Sequence, residues 1–279
     1  MSIPPKYSSL WGKPARMRAG GAVALFASLT LSGCAPTFVH QPAPLPDPDP
    51  DVILVTLSGR CGFTCQSADN WDYLTASGGT AAISDWLRQR GRHVRTISGT
   101  AQVQDTYRSR ESAAEQHGYP WVKAQLAAAL AEFPRAQIIV MGHSHGSVFG
   151  HQLVRDFPAT RFRLLIDLDT QCLLWTDYRQ SPYAGGCAPD PAHRGQRASD
   201  VTPDNVEFNL EVQSSGSDVQ RVGQGLVYSP IRDRVPNIRP DGTRRGIVTL
   251  RSSDNHIMMP RAGSQSMTLV RGALEQLGF

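Results

Sequence analysis

Past residue 33 the chain holds a single lysine, Lys123, and no excess of either charge. The first 33 residues carry four of the 28 basic side chains and none of the 24 acidic ones, so the remainder is balanced. The basic pI of about 8.9 therefore belongs to the leader, and it gives no argument for a nucleic-acid partner, which is not expected. Long apolar runs are also missing. The longest uncharged apolar stretch, Ala22 to Leu31, falls short of the roughly 17–25 residues that span a bilayer. Cysteine is scarce, with five in 279 residues. The spacings C-x3-C (Cys61, Cys65) and C-x14-C (Cys172, Cys187) suit zinc poorly, so no metal is expected. Internal repeats are absent, which excludes a solenoid.

What is present begins with a leader. Lys6, Lys13, Arg16 and Arg18 precede Ala22 to Leu31, and Leu31-Ser32-Gly33-Cys34 follows. A basic segment, a short apolar segment and small residues make a secretory signal. Met17 could serve as the start, because M-R-A-G-G-A-V suffices as the basic segment. L-S-G-C resembles the bacterial lipoprotein cleavage box. That resemblance implies removal of residues 1–33 and a lipid-bearing Cys34 at the new N-terminus, with the domain on the periplasmic side of the outer membrane because Ala35 is not acidic. The alternative is an ordinary secreted protein in which Cys34 is incidental. Residues 35–50, APTFVHQPAPLPDPDP, favour extended polyproline conformations, so 34–50 reads as a tether. Residues 51–279 suffice for one large domain. An exported domain with four further cysteines suggests disulfides; three pairings are possible, and the local ones, Cys61–Cys65 and Cys172–Cys187, would each staple a loop.

Within 51–279, apolar β-branched runs predict strands over 51–59, 93–98, 136–141, 162–169, 205–213 and 246–252. Helical periodicity predicts helices over 80–91, 121–133, 145–157 and 264–277. Alternation of this kind specifies an α/β fold: a mainly parallel sheet covered on both faces, with sites beyond the carboxyl ends of its strands. Residues 170–204 have little periodicity and many turn residues, so they read as a flap over the site or a surface excursion.

One junction carries chemistry. Ile138 to Met141 run straight into Gly142-His143-Ser144-His145-Gly146, and a helix starts at once. G-x-S-x-G is a weak pattern alone. Between a buried strand and a helix it is the setting of a nucleophile elbow, where glycines relieve a strained turn around an exposed serine. The two flanking histidines would splay apart, with no third ligand nearby in sequence, which argues against a metal. They also point away from the serine hydroxyl, so neither is expected as its base; His143 is expected to pack or face solvent.

Here the chain resembles the α/β-hydrolase superfamily, in which G-H-S-x-G is common among lipases and esterases. The resemblance implies an α/β-hydrolase fold over 51–279, with Ser144 as nucleophile and no cofactor. It implies oxyanion donors at the His145 amide and in the loop after the first strand, at Arg60 or next at Cys61. It places the base after the last strand, at His256; His193 is the other downstream histidine. It places the acid at Asp169, since some of the family's lipases take theirs from a similar L-D motif, with Asp233 the alternative, in a D-x-V-P run like that of another lipase group. Asp218 and Asp254 stay open as alternatives, while Asp167 should sit paired inside its strand. The expected activity is cleavage of a small-molecule or lipid ester through an acyl-enzyme. Thioester cleavage or acyl transfer by the same residues is the alternative within chemistry, and a non-catalytic envelope lipoprotein the alternative outside it.

Overall fold

A computed structural model of the chain describes residues 49–59, 72–101, 105–108, 115–172, 184–222, 225–229 and 235–279. In chain order the elements are β1 (Val52–Ser58), α1 (Tyr73–Ala76), α2 (Gly79–Gln89), β2 (Val94–Thr100), β3 (Thr106–Arg108), β4 (Glu115–His117), α3 (Tyr119–Glu132), β5 (Gln137–His143) and α4 (His145–Asp156). They continue with β6 (Phe162–Leu168), β7 (Val206–Ser214), β8 (Asp218–Val222), β9 (Gly225–Ser229), β10 (Ile247–Ser252) and α5 (Gln265–Gln276). Among the described residues no helix is long and apolar enough to cross a membrane.

Six strands form one sheet in the order β10-β7-β6-β5-β1-β2, and every pairing in it is parallel. The apolar runs explain the two covers. Val52 and Leu54 of β1 face a core with Ile139, Met141, Ile166 and Leu210, closed by Ile83 and Leu87 of α2 and Met267, Val270 and Leu274 of α5. Ile53, Val55 and Leu57 face the other way, against Val140, Leu165, Val122 and Leu126 of α3, and Phe149 and Leu153 of α4. Strands buried on both faces are mostly apolar on both, which is why these runs lack alternation. Each fully buried Leu, Ile or Val contributes roughly 1.5–3 kcal/mol through its removal from water.

The expected mainly parallel α/β sheet is therefore observed, and each of the six expected strands lies within a few residues of its predicted place. Two antiparallel hairpins, β3–β4 and β8–β9, and the four-residue α1 were not foreseen. Elements this short show too few periods for a pattern to register. Helix α3 starts two residues early because Pro120 fits its first turn, where the missing N–H is no loss.

The chain runs from β1 outward to the edge strand β2, then returns to place β5 on the other side of β1. The carboxyl ends of β1 and β5 are thus the switch point of the sheet, where two successive connections leave in opposite directions and where sites of such folds lie. The serine junction lies at that end.

Candidate active site

Strand β5 ends at His143 and α4 starts at His145, so one residue, Ser144, makes the whole turn. Its φ of 58° and ψ of −129° are a backbone conformation that L-residues adopt only under constraint. The constraint is visible on either side. A Cβ at Gly146 would lie 2.0 Å from the Leu57 carbonyl oxygen, and one at Gly142 would lie 2.4 Å from Ser147 Cα. Both obstacles are backbone, so only glycine lets the helix start this close to the strands. Ser144 occupies the N-cap position, yet its hydroxyl does not cap the helix. It is left available for other contacts.

The backbone of Ser144 is fixed to the end of β6. Its N–H donates to the Leu168 carbonyl at 2.9 Å, and its carbonyl accepts from Gln171 N–H at 3.3 Å. Between those two anchors lies Asp169, buried, with φ of 50°. Its carboxylate accepts the Ser214 N–H at 2.9 Å on Oδ1 and the Ser214 hydroxyl at 2.7 Å on Oδ2. His256 Nδ1 meets Oδ2 at 2.7 Å. A carboxylate only accepts, so Nδ1 carries the proton, and in the neutral ring Nε2 is the nitrogen free of one. The structure thus brings Ser144, Asp169 and His256 to one end of the sheet from three separate connections. The imidazoles of His256 and His143 stand 4.6 Å apart, centroid to centroid.

Asp254, His193 and Asp167 are held by other partners. Asp254 Oδ2 accepts from Ser252 Oγ (2.7 Å), Ser266 N–H (2.8 Å) and Ser266 Oγ (2.9 Å), which ties the end of β10 to α5. Burial opposes its ionisation, but these bonds more than offset that and hold its pKa below the ordinary carboxylate value. Asp218 opens β8. His193 contacts Asp190 Oδ1 through Nδ1 at 2.9 Å and the Pro240 carbonyl through Nε2 at 3.0 Å, and is tied into its own loop. Asp167 is fully buried; its Oδ2 meets His151 Nε2 and accepts from Asn209 and Asn237, the paired state expected inside a strand. Asp233, Arg60, Cys61, Cys65 and Cys34 lie outside the described residues.

His145 is buried, with Nδ1 donating to the Gln171 carbonyl at 3.3 Å. A Cβ on Gly59 would lie 2.9 Å from both His145 N and Ser144 Cβ, so the end of β1 presses on the elbow amide. Cys172 and Cys187 form a disulfide, one of the two local pairs expected. It joins the chain just beyond Asp169 to the turn Ala184–Cys187, and Cys187 Sγ sits 3.8 Å from His145 Nδ1. Residues 184–204 of the aperiodic stretch pack beside α4, where Arg155 donates to the carbonyls of Ala198 and Val201. Ile257 and Met258, directly after His256, are two of the three large apolar side chains exposed among the described residues.

Two contributors carried no sequence signal. Ser214 ends β7, 45 residues after Asp169, and only the pairing of β6 with β7 makes them neighbours. Tyr73 stands on α1 and meets His143 Nδ1 with its hydroxyl at 2.7 Å across 70 residues of sequence. Its orientation follows from Asp72, which caps α1 and accepts from Ser58 Oγ at 2.8 Å, holding the helix to the end of β1. Burial raises the pKa of Asp72, and burial with the Asp72 charge raises that of Tyr73. Burial, with the charge of His256, holds His143 well below its ordinary value. His143 packs, as expected of it, but between two hydrogen-bond partners. Among the described residues no group of three or more His, Cys, Asp or Glu side chains is placed to hold a metal ion.

No family model matches this chain, and no curated protein does. Several solved structures resemble it in chain trace. Alpha/beta hydrolase domain-containing protein 10 from mouse is 11% identical, with 81% of this chain and 88% of that chain covered and a TM-score of 0.45. A structure from the metagenome-derived lipolytic enzymes LipS and LipT is 13% identical, with 82% and 94% covered and a TM-score of 0.43. Est1E from Butyrivibrio proteoclasticus, solved with ferulic acid bound, is 12% identical, with 82% and 89% covered and a TM-score of 0.42. The functional reading stands on this chain's own residues.

Proposed function

We propose that the protein is a serine hydrolase that cleaves carboxylic esters through an acyl-enzyme on Ser144. The observation that carries the reading is the 2.7 Å contact of His256 Nδ1 with Asp169, at the same end of a parallel sheet as a serine held in a strained turn. In this reading Ser144 Oγ attacks the ester carbonyl while His256 Nε2 takes its proton. Asp169 keeps the proton on Nδ1 and stabilises the imidazolium without accepting that proton itself. The His145 amide, with the Arg60 amide suggested by the family resemblance, binds the oxyanion; one such donor is worth about 2.7–4 kcal/mol in the transition state. The imidazolium then protonates the departing alcohol. Water, activated by the same ring, releases the acid.

The apolar pair Ile257 and Met258 beside the base suits an ester with an apolar portion, as a small molecule or a lipid. Export and anchoring through Cys34 belong to the same proposal, supported by L-S-G-C after the leader. The mass of the mature N-terminal peptide tests this part: an acylated Cys34 is expected, and an unmodified residue 34 or a retained leader refutes it. For the chemistry, a fluorophosphonate probe should label the purified protein once, and Ser144→Ala should abolish the label. A parent that takes no label, or an Ser144→Ala variant that labels equally, refutes the hydrolase reading.

A further inference from the structure

A backbone carbonyl can only accept, so the 2.8 Å contact of His143 Nε2 with the His256 carbonyl oxygen puts a proton on Nε2. Burial keeps the ring neutral, which makes this its only proton. Nδ1 is then bare, and the 2.7 Å contact with Tyr73 Oη is a bond the tyrosine donates; the His143 carbonyl, at 3.3 Å from the same hydroxyl, is the poorer acceptor. With its one proton committed, Tyr73 Oη accepts the Gly59 N–H at 2.8 Å. One phenol oxygen and one imidazole therefore join three parts: the end of β1, the elbow and the main chain of His256.

We propose that Tyr73 and His143 are positioning residues for the reaction proposed above, on which this inference rests: they fix the elbow that carries Ser144 and set the loop of His256 against it. The arrangement also suits the charge that appears during turnover. A second cation at His143 would lower the basicity of His256, and a buried neutral ring avoids it. Phenylalanine at 73 would leave both Gly59 N–H and His143 Nδ1 without this partner. An error of 1 Å in such a constellation costs about 10²-fold in rate.

The test compares the parent with Tyr73→Phe, His143→Leu and His143→Gln, using a p-nitrophenyl ester and a fluorophosphonate probe. Tyr73→Phe and His143→Leu should lose roughly 10- to 100-fold in kcat with KM within about twofold. His143→Gln, whose amide can donate to the His256 carbonyl and accept from Tyr73, should recover much of that loss. The final extent of labelling counts folded sites while its rate reads their geometry, so slower labelling to the parental extent separates positioning from misfolding. The acid limb of the pH–rate profile should keep its midpoint in His143→Gln, because His256 and not His143 is the base. A labelling parent whose Tyr73→Phe and His143→Leu variants keep parental kcat overturns the positioning role alone. A shifted acid limb in His143→Gln overturns it in favour of a titrating His143. A parent that takes no label overturns the hydrolase reading and this role with it.

Discussion

Asparagine at position 169 would preserve the side chain's shape and its backbone, because Asn is among the few residues that tolerate the left-handed region found there. What changes is the count of acceptors. Among the partners of Asp169 are three donors: Ser214 N–H at 2.9 Å, Ser214 Oγ at 2.7 Å and His256 Nδ1 at 2.7 Å. The Ser214 amide cannot turn, so the asparagine oxygen must face it, and the new NH2 then faces Ser214 Oγ and His256 Nδ1. The hydroxyl can rotate to accept. The imidazole can answer only by moving its proton to Nε2, which leaves no base for Ser144. The flipped amide is worse, since it sets NH2 against a buried N–H at a cost of about 1–3 kcal/mol. A base in the wrong tautomer lowers kcat by about 10⁴ in the serine-protease template, or about 5.5 kcal/mol at 1.36 kcal/mol per tenfold. Steady-state kinetics of Asp169→Asn on a p-nitrophenyl ester, with a melting curve to show the fold intact, make the comparison. A folded variant within tenfold of parental kcat would show that the acid is not Asp169, and Asp233→Asn would then be the variant to examine.

Gly146→Ala should cost about 1–3 kcal/mol or more, because its Cβ would overlap the Leu57 carbonyl at 2.0 Å; a melting temperature equal to the parent's would contradict the packing of the elbow. Reducing Cys172–Cys187, which closes a loop of 15 residues, should cost about 3 kcal/mol and slow fluorophosphonate labelling, since the bridge backs His145. Labelling and melting both indifferent to reductant would refute that. His143 bears on pH dependence. Its folded pKa lies below the unfolded 6.5, so the unfolded chain takes the proton first; stability is full above about pH 6.5 and falls as pH drops below it. Asp72, Asp200 and Glu211, whose pKa values burial raises, contribute the opposite slope in parent and variant alike and cancel in the difference. Denaturant titrations should therefore show a shallower decline below pH 6.5 for His143→Gln; parallel declines would refute a neutral, buried His143. Met258→Lys should lower kcat/KM more for long-chain than for short-chain esters, and an equal effect on both would argue against an apolar rim beside His256.

Much of the frame was legible before any coordinates. The strands buried on both faces announce themselves as nearly continuous apolar runs, because a polar side chain there must find a partner, as Asp167 does. The elbow was legible because three local demands coincide over five residues: an ending strand, glycines that admit close backbone, and a helix starting without a loop. The acid was legible only as a preference for Asp169 that rested on family resemblance. Asp169, Asp218, Asp233 and Asp254 all lie in plausible connections, and local pattern does not distinguish a carboxylate facing an imidazole from one capping a helix, as Asp254 does. Nor could any pattern attach Tyr73 to His143, since an isolated tyrosine on a four-residue helix has no period and no motif.

Residue types and their order thus determined the layers of the fold, the place of the serine and the histidine after the last strand, because each depends on burial or on a short stretch of backbone. Tertiary structure alone decided that Asp169 meets His256, that Ser214 holds Asp169, and that His143 stands between Tyr73 and the His256 main chain. Those contacts span 45 to 113 residues. They arise from strand register and from the chain's reversal at β1 and β5, which no local stretch of sequence contains.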